Sequence, residues 1–339
     1  MSDSVKIDPL KTHLALEYKH ARPLTACRFD PLGRFVFFGS EDNLVHRFDI
    51  AAKTATAFAA HDSWVRAIGS SPSGEVLYTG GYDGCLAWWL AADEKQPKPI
   101  RVVEAHQGWI RALAVSPDGQ RIATCGNDNL VKLWDASTGS QAAELAGHST
   151  HVYHLAFHPS GESLVSCDLK GALKEWNVAE GKRKRDLAAA DALYKFDTTF
   201  RADIGGARSM SFSKDGSQLA LGGITNVTNA FAGIGEVIVV LVDMATGKVS
   251  QTLEAKDKIR GVAWGVAHHP DGFWIGLSGG GGGGWLYFWK GDASQEFFKL
   301  KLANDGRDLA LSPDGSRVAV AHADGKLRLY ALHEKQAAA

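Results

Sequence analysis

The stretch AHQGWIRALAVSPDGQRIATCGNDNLVKLWDASTG, residues 105–139, decides the fold. It contains three short apolar runs separated by SPDG and GNDN. Those separators supply Gly, Asn and Asp, which tolerate left-handed backbone or hydrogen-bond their own chain, as tight turns require. LVKLWD alternates its side chains and is rich in strand formers. A fourth run, QAAELAG, follows before Gly147-His148. Four short strands in about 40–45 residues are the arithmetic of one propeller blade.

The unit recurs along the chain. Its turn glycines are Gly33, Gly74, Gly119, Gly161, Gly216, Gly272 and Gly315, spaced 41, 45, 42, 55, 56 and 43 residues apart. Seven units of this kind predict an all-β fold, a single seven-bladed propeller of four-stranded antiparallel blades over residues 12–332. Residues 1–11 and 333–339 are expected to be flexible termini. The seventh unit has only three strands, and residues 13–17 read as an orphan outer strand. The N-terminal strand is therefore expected to join the last blade, which removes two exposed sheet edges at once.

Composition bounds the function. Hydrophobic content of 45% and charged content of 22% are those of a globular chain with a sizeable core. The 37 basic and 38 acidic side chains give a net charge of −1, with no global field to coat nucleic acid. The polar start MSDSVKIDPLKTHL is no secretory signal. The apolar run 237–242 is far short of a membrane span. Four Cys without metal-type spacing argue against a zinc site or a disulfide framework. The expectation is a cytoplasmic protein, monomeric by itself, with no membrane partner and no cofactor.

The repeats resemble the WD-repeat β-propeller family. His61 to Trp89, His106 to Trp134-Asp135 and Gly147-His148 to Trp176 match its His-to-Trp signature, and Phe48-Asp49 and Trp289 are weaker echoes. The resemblance implies buried polar tetrads: His61, Thr79, Asp83 and Trp89 in unit two, and His106, Thr124, Asp128 and Trp134 in unit three. In each, the acid would hold the imidazole, the imidazole the hydroxyl, and the hydroxyl the indole N–H. Unit four keeps His148, Ser166 and Trp176, with Lys170 where the acid is expected. Unit one keeps His20 and Asp42 but has Phe38 and Phe48. Units five and six are further degraded.

The period breaks at residues 188–206, 222–235 and 279–284, all of which map to one face. The last is six consecutive glycines with no Lys-Ser or Lys-Thr behind them, which argues against a phosphate loop. Residues 222–235 and 279–284 are expected to be mobile, with Phe231 as the first segment's one apolar anchor.

One further position repeats. Six residues before the turn proline stand Arg66, Arg111 and Arg307, and in units one and four Thr25 and Tyr153. Unit five, with Lys214 in place of the proline, gives Arg208. For unit six, alignment on KIRGVAW gives Arg260. Ile110, Leu113 and Val115 are spaced three and then two, which implies a β-bulge aiming the arginine at the channel mouth. Trp64 and Trp109 lie two residues earlier. Two readings stay open. Asp62, Asp203, Asp257 and Asp305 could neutralise a ring that braces neighbouring blades. Alternatively Arg66, Arg111, Arg208, Arg260 and Arg307, with Trp64, Trp109 and Tyr153, bind a partner.

No nucleophile elbow, metal-binding helix motif or dinucleotide fingerprint is present. The sequence thus points to a protein-interaction scaffold, not an enzyme, whose partner is another protein or an acidic peptide segment. The alternative is a propeller enzyme or small-ligand sensor using the long loops of blades five and six.

Overall fold

The computed structural model describes residues 6–92, 97–229 and 234–335. Phe231 and the outermost residues of both termini lie outside them. Among the described residues the chain forms seven four-stranded antiparallel sheets and one extra hairpin. Blade three comprises Ile110–Val115, Arg121–Gly126, Val131–Asp135 and Gln141–Leu145 in that order from the channel outward. All seven turn glycines adopt left-handed backbone, with φ between 70° at Gly33 and 85° at Gly272. A side chain there would be strained, which is why the repeat is legible through its glycines.

The seventh sheet takes its outer strand from the other end of the chain. His13–Lys19 pairs antiparallel with Lys326–Ala331, and Glu17 bonds both Lys326 and Arg328 across the join at 2.7 Å. The contact extends further toward the N-terminus than the sequence suggested. The Asp8 N–H donates to the Leu332 carbonyl at 2.7 Å, and Ile7 packs on the blade-seven core.

Apolar clusters lie between neighbouring blades. One joins Phe37, Phe58, Trp89 and Leu77 across blades one and two, and another joins Val131, Leu155 and Trp176 across blades three and four. Burial between sheets thus supplies the cohesion of the ring, about 25 cal/mol per Å² of apolar surface removed from water.

The described residues of the three insertions are built structure. Residues 188–206 carry a 3₁₀ turn at Asp191–Leu193 and a hairpin of Tyr194–Asp197 with Ala202–Gly205, and Leu193 is buried among Leu187, Ala190 and Ala207. Of the segment expected as a mobile loop at 222–235, residues 222–229 and 234–235 prolong two blade-five strands, Gln218–Asn229 and Ile234–Asp243, and residues 230–233 lie outside the described residues. Its Ile224 and Val227 are buried against Val262. The glycine run is a close-packed turn. A Cβ on Gly284 would lie 2.1 Å from the Asn304 carbonyl oxygen, and the Gly282 N–H donates to Arg260 O at 2.7 Å. These glycines serve close backbone approach more than freedom.

Candidate functional site

In blades one to four the innermost strand carries one register shift near its start, and a single residue stands out of the ladder there: Thr25, Arg66, Arg111 and Tyr153. Blade seven does the same at Arg307. In blade six the shift lies between Ala263 and Gly265, so the bulge residue is Trp264. The assignment of Arg260 to this position is therefore incorrect. Arg260 is held by its backbone, in a bridge to Glu236 and as acceptor for Gly282. The plain count of six residues back from Pro270 lands on Trp264, and that signal was available in the sequence.

Three arginines and two aromatic bulge residues converge. Arg66, Arg111, Arg208, Tyr153, Trp264, Tyr82 and Ala207 line one cavity of about 140 Å³. Cations and rings alternate through it. The Arg111 guanidinium carbon lies 5.0 Å from the Trp109 ring centre and 4.2 Å from that of Tyr153. Arg208 lies 4.7 Å from Tyr153 and 5.5 Å from Trp264. Arg66 lies 5.0 Å from Trp264. Such contacts contribute roughly 0.5–2 kcal/mol each, more when desolvated.

The surroundings fix these side chains. Asn127 accepts from Arg111 Nε at 2.7 Å. Gly206, at φ +84°, leaves room for Tyr153, whose ring would lie 2.7 Å from a Cβ there. Ile224 and Val227 of the long hairpin, with Ile204 of the extra hairpin, pack behind Trp264. Two of the three insertions thus support the floor of the channel mouth. Tyr82, which the sequence reading missed, stacks on the half-exposed Trp109 at 4.1 Å with the rings 2° from parallel, and Trp64 stands 6.4 Å beyond it.

The acids in the same loops do not neutralise the cluster. Asp203 pairs with Lys170 at 3.5 Å and accepts from the Tyr194 hydroxyl, and Asp257 pairs with Lys299. Among the described residues, Arg307 alone of the bulge arginines has an acid partner, Glu41 of blade one, at 2.6 Å. Among the described residues no carboxylate lies within ion-pair distance of Arg66, Arg111 or Arg208. The buried Nε of Arg208 also finds no hydrogen-bond acceptor among the described residues. Burial pulls the Arg208 guanidinium below its ordinary range. Burial would push the Tyr153 phenol up, but Arg208 and Arg111 beside it outweigh that and bring it down. Below, a cavity of about 20 Å³ shares the three arginines and is lined by Arg28, His154 and Asp308. Burial, then Arg28, hold His154 down at about 3, so it adds no charge of its own at neutral pH.

The tetrads lie away from the channel. His61 bonds Asp83 at 3.0 Å and Thr79 at 2.9 Å, and Trp89 donates to Thr79 at 2.9 Å. His106 bonds Asp128 at 2.9 Å and Thr124 at 2.7 Å, and Trp134 donates to Thr124 at 2.9 Å. Blade four corrects the reading of Lys170: its acid is Asp168, 3.0 Å from His148 Nδ1, with Ser166 and Trp176 completing the set. Asp168 stands where blade three has Gly126, and a Cβ on Gly126 would lie 3.1 Å from His106 Nδ1. A side chain at that position therefore points at the ring.

The family model for the WD domain, G-beta repeat, matches residues 52–89, 97–135, 139–177 and 305–331. Over those four stretches the chain carries WD repeats, set in a seven-bladed β-propeller. The matches fall on the blades with the best-kept repeats and on blade seven, while the ring geometry extends the architecture to all seven. No curated protein matches the chain. WD-repeat propellers generally bind other proteins, as scaffolds without chemistry of their own. Among the described residues of this propeller, no helix is long and apolar enough to cross a membrane.

Proposed function

We propose that the propeller is a non-catalytic interaction scaffold whose channel mouth takes an acidic side chain of a partner protein. The observation that carries this reading is the cluster of Arg66, Arg111 and Arg208, which share one cavity without a carboxylate partner. Desolvated guanidiniums are costly when uncompensated. A carboxylate from outside would supply charge, bidentate hydrogen bonds and an acceptor for Arg208 Nε. Trp64, Tyr82 and Trp109 flank the entrance as an aromatic ladder, the residue types that anchor interfaces. Arg260 does not belong to the binding set, and Arg307 serves as a brace to Glu41. A cavity of about 140 Å³ admits one side chain, so the remaining affinity comes from the rim.

The test is titration of a fluorescent Glu-rich peptide into the protein and into the Arg66→Ala, Arg111→Ala double variant. The double variant should bind at least about tenfold more weakly, a loss of about 1.4 kcal/mol, and melt nearly as the parent does. Wild-type affinity should fall as salt rises. A variant that unfolds readily yet binds normally when folded would make these arginines blade-to-blade braces.

A further inference from the structure

We propose that His20, Asp42 and His46, on the rim of blade one, form a site for a divalent metal ion of the zinc class. His20 Nε2 and His46 Nε2 each lie 3.0 Å from the same oxygen, Asp42 Oδ2. Ser40 Oγ lies 3.2 Å from His20 Nε2 and donates to the other oxygen of Asp42. The three ligand atoms all fall within 4.8 Å of one another. Zinc holds imidazole nitrogen and carboxylate oxygen at about 2.0–2.2 Å, which puts tetrahedral neighbours about 3.3 Å apart. The two His–Asp distances therefore need to change by only a few tenths of an ångström, and the two nitrogens, within 4.8 Å of each other, close toward the same spacing.

The fold does not require this arrangement. In blades two, three and four the histidine turns Nδ1 to its acid and Nε2 inward to a hydroxyl that in turn holds an indole. Blade one has Phe38 and Phe48 at the hydroxyl and indole positions, so there is no inward relay to serve. His20 instead presents Nε2 to Asp42. The second imidazole comes from His46, at the strand position where blades three and four carry Lys132 and Lys174. Phe38 stacks on His46 at 4.9 Å and meets His20 edge-on at 5.7 Å, so an apolar wall orients both rings. The side chain of Asp42 is 24% exposed, which leaves a path from solvent. Two imidazoles and one carboxylate with a position open for water or Ser40 suit zinc. Without metal each imidazole can donate its Nε2–H to Asp42; on zinc binding Nε2 becomes the ligand atom and the ring proton moves to Nδ1, so each neutral ring binds with its proton retained.

The experiment uses the full chain, freed of metal by a chelator. Zinc chloride is titrated calorimetrically, and cobalt(II) is followed by its visible spectrum. The expected result is one equivalent bound, an intense tetrahedral cobalt band and a zinc-dependent rise in melting temperature. His46→Lys, which installs the residue type of blades three and four, should fold and lose more than about tenfold in affinity. Asp42→Asn should do the same. A cobalt spectrum that stays that of the aqueous ion overturns the proposal. So does zinc affinity unchanged in both variants, which would place the metal on other histidines, such as the facing His13 and His333. Should both variants fail to fold, the wild-type spectrum and stoichiometry decide.

Discussion

Arg66 of blade two reaches Trp264 of blade six, with 5.0 Å between guanidinium carbon and ring centre. These blades are not neighbours in the ring, so the contact spans the channel. Trp264 also faces Arg208 and holds both cations in place before any partner arrives. Replacing Trp264 by Ala should weaken binding of the Glu-rich peptide by about 0.5–2 kcal/mol, roughly two- to thirtyfold. Fluorescence anisotropy measures it directly. Unchanged affinity would mean that the ring only fills the channel.

Blade four offers a stability test at two residues apart. Asp168 is buried and bonds His148, whereas Lys170 meets Asp203 at a partly exposed 3.5 Å pair. Asp168→Ala leaves His148 without its acid and should cost about 1–3 kcal/mol. Lys170→Ala loses a surface pair worth about 0–1 kcal/mol. Urea unfolding of the two variants checks the order, and equal losses would show that the polar relay adds nothing in this blade.

The number of blades, their closure and the tetrads of blades two and three were legible because they repeat. A glycine that must be left-handed returns at a nearly fixed period, and a His-to-Trp spacing returns with it. Asp168 was missed because its signal is a two-residue displacement that only the direction of a Cβ explains. Trp264 was missed because unit six was aligned on KIRGVAW instead of being counted back from Pro270, although the bulge keeps that count. The long blade-five hairpin was read as a loop because its turn formers outnumber its anchors. Yet Ile224 and Val227 have a buried surface to meet that is contributed by a different blade. The His20, Asp42 and His46 cluster was legible only in part, since His46 lies outside every repeat signature.

Two histidines, the buried His322 and the partly buried His154, set an acid limit on the fold. Burial, then Arg28, hold His154 at about 3, and burial, then Arg328, hold His322 at about 4. Both folded values lie below the unfolded value of about 6.5. As pH falls through about 6.5 the unfolded chain takes up protons that the native state refuses. The stability these groups contribute is therefore complete above that pH and declines toward their folded values. Each proton steepens the decline by up to about 1.4 kcal/mol per pH unit. Urea midpoints at pH 7.5, 6 and 5 should fall for the wild type, and His154→Gln should flatten part of that fall. Parallel curves for the two proteins would remove His154 from the account.

The bulge arginines divide into two roles, and one pair of variants separates them. Arg307 Nη1 donates to Glu41 Oε1 at 2.6 Å, joining blade seven to blade one beside the seam where the chain ends meet. Both side chains are partly shielded, at 33% and 23% exposure, so the pair should exceed a fully solvated one only modestly. A double-mutant cycle of Arg307→Ala with Glu41→Ala should return a coupling of about 0.2–1 kcal/mol. Neither change should alter binding of the acidic peptide, because the charge of Arg307 is already answered within the protein. Arg66 presents the reverse case. Among the described residues it has no acid partner, and its contact is the face of Trp264. Arg66→Ala should therefore leave the unfolding free energy within about 0.5 kcal/mol and weaken peptide binding. If Arg307→Ala costs as much affinity as Arg66→Ala, the whole ring of arginines binds the partner. The division by acid partner would then be wrong.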